Sequence, residues 1–252
     1  MPGLEAVQTL AREPETKRSV LHLPILAHEA MAARPGMPRS GAAQQGLALL
    51  RPAAKRALDI LGAGAILLFC LPIFLVLALL VKRDGGPIFY GHERVGLGGR
   101  LFGCLKFRSM VADADRRLAA LLEHDPQARR EWEATRKLRH DPRVTWVGRF
   151  LRASSLDELP QLVNVLRGEM SLVGPRPVQA AELAAFYGPS AQHYMAVRPG
   201  ITGPWQVSGR SDTSYAQRVA LDVNYVMHPS LLEDVKILLR TPLAVLARRG
   251  AY

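Results

Sequence analysis

Two adjacent carboxylates, Asp157 and Glu158, stand in the stretch SSLDELPQLVNVL, between two serines and an apolar run behind a proline. The pattern Ser155-x-x-Glu158 is that of a helix-capping box, in which the side chains only accept hydrogen bonds from free backbone N–H groups at the start of a helix. Pro160 breaks no helical hydrogen bond if Asp157 is the N-cap, but it does if Ser155 is. A helix start also attracts phosphate, and a carboxylate there can bind Mg²⁺ or attack phosphorus. The local pattern favours capping and leaves phosphate chemistry open.

Basic residues in other motifs supply the remaining parts of a phosphoryl-transfer site, which needs cations around the phosphates. Arg176 lies between Pro175 and Pro177, which fix the backbone on both sides of a guanidinium suited to bidentate phosphate contact. Lys106 and Arg108 are two residues apart and share one face if LKFRSM is a strand. Further candidates for contact with substrate phosphates are Arg152, Arg198 and Arg210. This wider set of residues favours phosphate chemistry at the acidic pair.

The longest apolar segment must position this site relative to a membrane. Ile60 to Val81 contains 22 residues without a charge, roughly 33 Å of helix, enough to cross a hydrocarbon core of about 30 Å. Pro72, near the middle, removes a helical hydrogen bond and favours a kink. Both flanks are basic, so the positive-inside rule places both in the cytoplasm. These features favour a re-entrant helix over a straight span, although proline kinks also occur in spanning helices.

The rest of the chain reads as mainly α with a small β-hairpin. Two partly alternating runs around GLGG, within residues 87–110, predict the hairpin, and the glycines fit a turn better than a phosphate loop. The charged segment 111–137 predicts two helices broken at Asp125–Pro126, and VTWVGRFLR predicts another amphipathic helix. Such helices are either solvated or interfacial on an anionic bilayer. Residues 1–50, rich in Ala, Gly, Pro and Gln, predict a disordered or low-complexity tail.

The chain is strongly basic, with a formal charge of +11 over 252 residues. Such a charge fits a nucleic acid, an anionic membrane surface or a phosphorylated substrate. Many of the basic residues flank apolar helices and no nucleic-acid-binding motif is recognisable, so we expect no nucleic acid partner. The two cysteines have no metal-ligand spacing and indicate free thiols in a reducing compartment.

Five motifs follow one another along the chain: KRALDI, KFRSM, RASSLDELPQLVNVLRGEMSLVGPRP, RPGITGPWQVSGR and LDVNYVMHPSLLEDVKILLRT. Together they resemble the bacterial sugar transferases, monotopic polyprenyl-phosphate phosphoglycosyl transferases, and in particular the short type that initiates exopolysaccharide synthesis. The resemblance covers roughly residues 52–250 and leaves out the tail. It implies a re-entrant membrane helix over residues 51–83, broken at Pro72, and a cytoplasmic catalytic domain over residues 84–252. In the family a charged motif matching Lys55, Arg56 and Asp59 steadies that helix.

The resemblance also implies a reaction. Asp157 attacks the β-phosphate of a UDP-sugar, UMP leaves, and polyprenyl (undecaprenyl) phosphate then attacks the covalent phosphosugar–Asp157 intermediate. Glu158 assists with metal or proton handling, and the family requires Mg²⁺, for which Asp157 is the ligand. The implied phosphate or nucleotide ligands are Lys106, Arg108, Arg152 and Arg176, with Pro175 and Pro177 in the UDP-side pocket.

The expected location is the cytoplasmic face of the bacterial inner membrane, with its anionic lipids, a UDP-sugar and polyprenyl phosphate as partners. A homodimer and downstream glycosyltransferases are further candidate partners. Galactose, glucose and an N-acetylated hexose all remain open as the transferred sugar. The alternative to an enzyme is a non-catalytic membrane scaffold that recruits glycan-assembly proteins through residues 1–50.

Overall fold

The computed structural model describes the backbone of residues 42–135, 138–208 and 213–246. The chain divides into two units, residues 1–46 and 47–252, and the elements around the acidic pair belong to the second. Residues 1–41 of the predicted tail lie outside the described residues, and so does Arg210. The first helix begins within the last part of that predicted tail, at Ala42.

Helix α1 (Ala42–Lys82) contains the whole apolar segment, with Pro52 and Pro72 in its interior. Its stretch Arg51–Lys82, 32 residues, is long and apolar enough to cross a membrane. The helix continues through Pro72, where the missing N–H leaves the carbonyl of Leu68 without its helical donor. One long apolar helix is therefore confirmed.

Two arms of α1 pack against the folded unit, and the part between them does not. The N-terminal arm, residues 51–67, places Ala63 and Leu67 in a core with α5, β3 and α10 residues. The C-terminal arm, residues 74–82, places Leu77 and Val81 in a core with the hairpin and α4. Between the arms, residues 68–73 are mostly exposed, and Phe69 keeps 86% of its surface accessible. The apolar surface of this middle part has no covering within the described chain.

The predicted β-hairpin is confirmed as β1 (Phe89–Val95) and β2 (Leu101–Phe107), an antiparallel pair. Its connection contains Gly98 and Gly99 with φ of 66° and 77°, values that glycine adopts without strain. The glycine-rich run therefore serves the turn.

Most other elements are short helices, and the predicted break at Asp125–Pro126 is confirmed between α2 and α3. The helices are α2 (Ala114–His124), α3 (Pro126–Thr135), α4 (Trp146–Ser154), α5 (Gln161–Arg167), α6 (Ala180–Phe186), α7 (Ala191–Met195), α8 (Pro204–Val207), α9 (Tyr215–Met227) and α10 (Leu231–Leu246). Two further strands, β3 (Ser171–Val173) and β4 (Gly200–Thr202), form a parallel pair that the sequence pattern did not predict. The mainly helical class with a small hairpin is confirmed.

A buried charged network fixes the N-terminal arm of α1 to the core. The Asp59 side chain is 3% exposed, and its carboxylate accepts hydrogen bonds from the Ser171 hydroxyl and the Leu172 N–H, both at 2.9 Å. Lys55 lies 3.2 Å from Asp59, and Arg56 donates to the carbonyl of Val165 at 2.7 Å. Arg56 also donates to the carbonyl of Leu166 at 3.0 Å, in the last turn of α5, where carbonyls lose their helical donors. Asp59 therefore ties α1 to β3, Arg56 ties it to α5, and Lys55 ties it to Asp234 of α10, 3.4 Å away.

Candidate active site

The acidic pair lies on a single 3₁₀ turn, Leu156–Glu158, between α4 and α5. Ser155 ends α4 in the left-handed region, with φ of 59°, and its side chain makes no capping hydrogen bond. The capping box therefore does not form, because Ser155 closes one helix instead of opening the next. Pro160 occupies the N-cap position of α5, where its missing N–H costs no helical bond. The acids are thus not used to cap a helix with their side chains.

Lys106 of β2 reaches both carboxylates of the pair. Its Nζ lies 2.7 Å from Glu158 Oε1 and 3.4 Å from Asp157 Oδ2. The Asp157 side chain is 13% exposed and that of Glu158 is 33% exposed. The sequence prediction that these residues form one site is consistent with this geometry, which brings a lysine and two acids together from elements 51 residues apart.

Burial and charge together set the ionisation of this cluster. Burial raises the pKa of Asp157 and the neighbouring Glu158 raises it further, whereas Lys106 and Arg152 act in the opposite direction. Burial alone would lower the pKa of Lys106, but the two carboxylates outweigh it and the pKa is raised. Lys106 therefore stays a cation, and Asp157 is a more basic carboxylate than an exposed aspartate.

Two arginines extend the positive charge around the pair. Arg152 is exposed at the end of α4, donates from Nε to the Ser109 hydroxyl at 2.9 Å, and its charge acts on Asp157. Arg176 is also exposed, and its charge acts on Lys106, lowering the pKa of that lysine. The cluster thus combines two carboxylates with one lysine and two arginines that solvent can reach.

The Pro-Arg-Pro loop holds Arg176 between two fixed ends. Within residues 171–178, Arg176 is the exposed residue of an otherwise buried stretch. The Gly174 N–H donates to the Thr202 carbonyl at 2.9 Å, and the Pro175 carbonyl accepts from the Gly200 N–H at 2.8 Å. A Cβ on Gly174 would come within 2.6 Å of a backbone carbonyl oxygen, so the loop packs too closely on β4 for a side chain there. Both prolines are buried and act on Arg176 through the backbone.

Arg108 and Arg198 are placed elsewhere. Strand β2 ends at Phe107, so Arg108 does not share a strand face with Lys106, and the prediction of a shared face is wrong. Arg108 is 9% exposed, donates to the carbonyls of Pro87 at 2.6 Å and Val81 at 3.0 Å, and pairs with Asp84. Arg198 donates to the Gly168 carbonyl at 2.7 Å, at the end of α5. In the described contacts, both arginines hold backbone segments together.

Tyr90 and His92 share the hairpin face with Lys106. Tyr90 pairs with Lys106, and His92 pairs with Cys104, so His92 lies diagonally beside the lysine. Burial lowers the pKa of His92, and the charges of Arg94 and Lys106 lower it further, so the imidazole is neutral near pH 7. Because Arg94 Nη2 can only donate to His92 Nδ1, 3.2 Å away, the proton sits on Nε2. Strand alternation, together with the register of the hairpin, would have placed Tyr90 and His92 on the same face as Lys106.

The aromatic ring of Trp205 contacts two arginines, an arrangement that the sequence alone does not reveal. The ring of Trp205 is 6% exposed, and the guanidinium carbons of Arg176 and Arg218 lie 5.7 and 4.6 Å from its centre. Cation–π contact of this kind holds a guanidinium over the ring face. The Trp205 ring therefore helps to hold the Arg176 guanidinium in place, in addition to the backbone hydrogen bonds of the loop.

Asp157 and Glu158 together supply two carboxylates, the kind of ligand that Mg²⁺ binds. Among the described residues, no group of three or more His, Cys, Asp and Glu side chains converges. Mg²⁺ commonly uses one or two carboxylates together with substrate phosphates, and keeps several waters. The carboxylates of Asp157 and Glu158 already converge on one cationic group, the ammonium of Lys106. Their oxygens are donors that fit Mg²⁺.

A half-buried acidic pair ringed by cationic side chains, next to a long apolar helix, is the site that a phosphoryl-transfer enzyme at a membrane requires. The chain matches the family model for bacterial sugar transferases over residues 50–248. It belongs to the bacterial sugar transferase family, and the resemblance inferred from the motifs is confirmed.

Individual relatives share about half of their aligned residues with this chain. It is 54% identical over 198 residues to the UDP-galactose-lipid carrier transferase of Erwinia amylovora, a match covering 79% of this chain and 41% of that protein. It is 53% identical over 200 residues to the exopolysaccharide production protein ExoY of Rhizobium meliloti, a match covering 79% of this chain and 88% of that protein. It is 41% identical over 207 residues to the UDP-glucose:undecaprenyl-phosphate glucose-1-phosphate transferase of Caulobacter vibrioides. This match covers 79% of this chain and 72% of that protein. The chain thus spans under half of the Erwinia protein and most of the Rhizobium protein.

Proposed function

We propose that this protein transfers a hexose 1-phosphate from a UDP-sugar to a polyprenyl phosphate such as undecaprenyl phosphate, and releases UMP. The product would initiate an exopolysaccharide or another surface glycan. The observation that carries the proposal is the contact of Lys106 with both Asp157 and Glu158, surrounded by Arg152 and Arg176. The names of the relatives support it, since they refer to UDP-galactose with a lipid carrier and to UDP-glucose with undecaprenyl phosphate.

In the first step, an Asp157 oxygen bonds to the β-phosphorus of the UDP-sugar, and the bond from that phosphorus to the bridging oxygen breaks. UMP leaves with the electron pair, and a phosphosugar remains on Asp157. Asp157 suits this role better than Glu158 because it is more buried and lies further from the Lys106 ammonium, 3.4 against 2.7 Å. Its charge is therefore less neutralised, and burial makes it more basic.

In the second step, a phosphate oxygen of the polyprenyl phosphate bonds to the same phosphorus, and the bond to Asp157 breaks. The carboxylate is regenerated, and the sugar leaves on a polyprenyl diphosphate. Lys106, Arg152 and Arg176 neutralise phosphate charge in both steps. Mg²⁺ held by Asp157 and Glu158 would supply positive charge that stabilises the departing UMP.

We further propose that α1 enters and leaves the bilayer on one face, with its bend at Pro72. A straight helix of 32 residues would be about 48 Å long, yet both of its arms pack on one folded unit. The buried side chain of Asn164 joins the two regions that receive the arms, donating to the Gly103 carbonyl at 2.9 Å and accepting from the Leu105 N–H at 3.0 Å. A straight span would draw this unit, with its buried charges, into hydrocarbon. The exposed middle part, residues 68–73, supports insertion into one leaflet.

Exposed apolar side chains outside α1 support contact with the cytoplasmic face of the inner membrane. On α4, Trp146 is 65% and Phe150 53% exposed. On α10, a row of exposed apolar residues lies beside Lys236 and Arg240; its members are Leu232, Val235, Leu239 and Leu243. Basic residues near an anionic surface contribute about 1 kcal/mol each. Such contacts would hold the acidic pair at the level of the headgroups, where the phosphate of a polyprenyl acceptor lies.

The test is UMP release by the purified protein with Mg²⁺, undecaprenyl phosphate and either UDP-galactose or UDP-glucose. We expect release with at least one donor and a fall of at least about 1,000-fold for Asp157→Asn, since the nucleophile is lost. Asp113→Asn is the matched control, because Asp113 pairs with Arg116 and Arg117 on the exposed start of α2. Release of UMP by Asp157→Asn at the wild-type rate would refute the mechanism. No release from any UDP-sugar would favour the scaffold alternative.

A further inference from the structure

The loop that presents Arg176 is held by hydrogen bonds on both sides of this residue. Gly174 and Pro175, before Arg176, bond to β4, and Val178, after it, is also held. Both backbone groups of Val178, two residues beyond Arg176, have partners. The Val178 carbonyl accepts from the Val95 N–H at 2.9 Å, and the Val178 N–H donates to the hydroxyl of Tyr194 at 3.1 Å. This second contact is made by a side chain, so a single substitution can remove it without altering the loop sequence.

The Tyr194 hydroxyl completes a closed set of three hydrogen bonds. It accepts from Val178 and donates to the Val95 carbonyl at 2.7 Å, which uses its one proton and one of its two lone pairs. Burial raises the pKa of Tyr194 far above its ordinary value, so the hydroxyl keeps its proton and remains a donor. The tyrosine therefore bridges two backbone segments that are distant in sequence.

Packing fixes the position of that hydroxyl. Tyr194 is 2% exposed and lies in a buried cluster with Val95, Val178, Leu183 and Tyr187. Its ring meets that of Tyr187 edge-on, with 5.3 Å between centroids. A ring enclosed in this way cannot swing its hydroxyl to other partners, so the bridge is rigid.

One bridged segment belongs to the loop that presents Arg176, and the other belongs to the hairpin that presents Lys106, the residue on which the Arg176 charge acts. Val95 is the last residue of β1, whose hairpin partner β2 carries Lys106. Val178 ends the loop that carries Arg176. The Tyr194 bridge thus sets the position of Arg176 relative to Lys106, although Tyr194 is not among the described contacts of the acidic pair.

We propose that Tyr194 is a positioning residue for the transfer reaction, acting through Arg176. This inference rests on the proposed function, because it takes Arg176 to bind the phosphates of the UDP-sugar. Without the hydroxyl, the buried Val178 N–H loses its partner and the far end of the loop keeps only the bond from Val95. Arg176 then samples positions away from the diphosphate, and small misplacements of a binding group reduce turnover strongly.

The test compares Tyr194→Phe with Tyr215→Phe in UMP release from UDP-galactose or UDP-glucose, whichever the wild-type protein uses. Tyr215 also loses a hydroxyl that donates a hydrogen bond, at 2.6 Å, but to the Glu182 side chain and not to the Arg176 loop. We expect kcat/KM for the donor to fall about ten-fold in Tyr194→Phe and to stay near the wild-type value in Tyr215→Phe. Val178→Pro removes the same N–H while keeping the tyrosine, and should reproduce the loss if Tyr194→Phe does not fold.

A double-mutant comparison separates positioning from general damage. If Tyr194 acts through Arg176, Tyr194→Phe causes no further loss of kcat/KM in an Arg176→Ala background. Two losses that multiply would overturn the inference, and so would wild-type kinetics of Tyr194→Phe. A wild-type protein that releases no UMP would overturn the proposed function itself, and the role of Tyr194 in it.

Discussion

Two regions of this protein contain the same charged groups, one lysine against two carboxylates, and differ in what surrounds them. In the buried anchor of α1, Lys55 lies 3.2 Å from Asp59 and 3.4 Å from Asp234, and those carboxylates are only 3% and 4% exposed. At the acidic pair, Lys106 is similarly close, but Asp157 and Glu158 are 13% and 33% exposed. The ion-pair geometry is alike, whereas access to solvent is not.

Additional hydrogen bonds account for the difference. Asp59 also accepts from Ser171 and Leu172, and Asp234 accepts from the Tyr225 hydroxyl at 2.6 Å. Such carboxylates have their charge satisfied by the fold and no room for a ligand. Among the described contacts, Asp157 accepts a hydrogen bond from Lys106, and the site opens to solvent beside exposed arginines. A lysine–carboxylate cluster is therefore structural when further hydrogen bonds from the fold satisfy its carboxylates, and it is available for chemistry when solvent can reach them.

The largest effect that would test this contrast is on stability. Asp59→Asn replaces a buried acceptor with a group that donates toward Lys55 and the Leu172 N–H, and removing one partner of a buried pair costs about 3–5 kcal/mol. We expect the Tm of the detergent-solubilised protein to fall by about 10 °C, while Asp157→Asn leaves it nearly unchanged. An Asp157→Asn protein that unfolds as readily as Asp59→Asn would show that both clusters are structural.

The next effect concerns the pH dependence of activity. The charge of Lys106 opposes the burial that raises the pKa of Asp157, so Lys106→Ala should raise that pKa further. Asp157 must be ionised to attack, so the acid limb of the kcat/KM profile should move to higher pH. At neutral pH the loss should be about 100-fold, because a cation facing the phosphates is also removed. Lys55→Ala is the matched control, and its acid limb should not move.

The smallest effect concerns a third buried carboxylate, Asp222, which accepts from Tyr187 at 2.8 Å through one oxygen. Its other oxygen is buried without a hydrogen-bond partner in the described part of the chain. Burial raises the pKa of Asp222 to about 7. The contribution of this group to folding stability is therefore fully present below the ordinary pKa of an aspartate, where the carboxyl is neutral. It is lost as the pH rises through about 7 and the buried group ionises.

The Tm of the wild-type protein should therefore fall between pH 5 and pH 8 by several degrees, equivalent to about 2 kcal/mol. Asp222→Asn cannot ionise and should reduce that dependence. The measurement is Tm against pH for both proteins, with Asp113→Asn as a surface control. An unchanged pH dependence in Asp222→Asn would show that this carboxylate is already ionised in the fold.

Much of the fold followed from local sequence patterns. The charge-free run predicted the apolar helix, the glycines between alternating runs predicted the hairpin, and Asp125–Pro126 predicted a helix break. The parallel pair β3–β4 could not be predicted in this way, because strands of three residues are too short to show alternation. Their pairing depends on contacts between residues about 29 positions apart.

The candidate site was predicted by residue type better than by local geometry. Residue types pointed to Asp157, Glu158 and Lys106, which lie in contact, but Ser155 has a positive φ that the capping-box pattern does not reveal. Arg108 was misplaced because the strand stops one residue before it. The Tyr194 bridge depends on a contact across 99 residues between a side chain and a carbonyl, for which the sequence carries no local signal.

The most direct measurement of the central claim is mass spectrometry of the protein mixed with Mg²⁺ and the UDP-sugar that it uses, without any polyprenyl phosphate. We expect one UMP released per active protein, together with a hexose-phosphate adduct on the peptide that contains Asp157. Addition of undecaprenyl phosphate should then remove the adduct. UMP formation that occurs only when the acceptor is present, with no adduct at Asp157, would exclude a covalent intermediate on this residue.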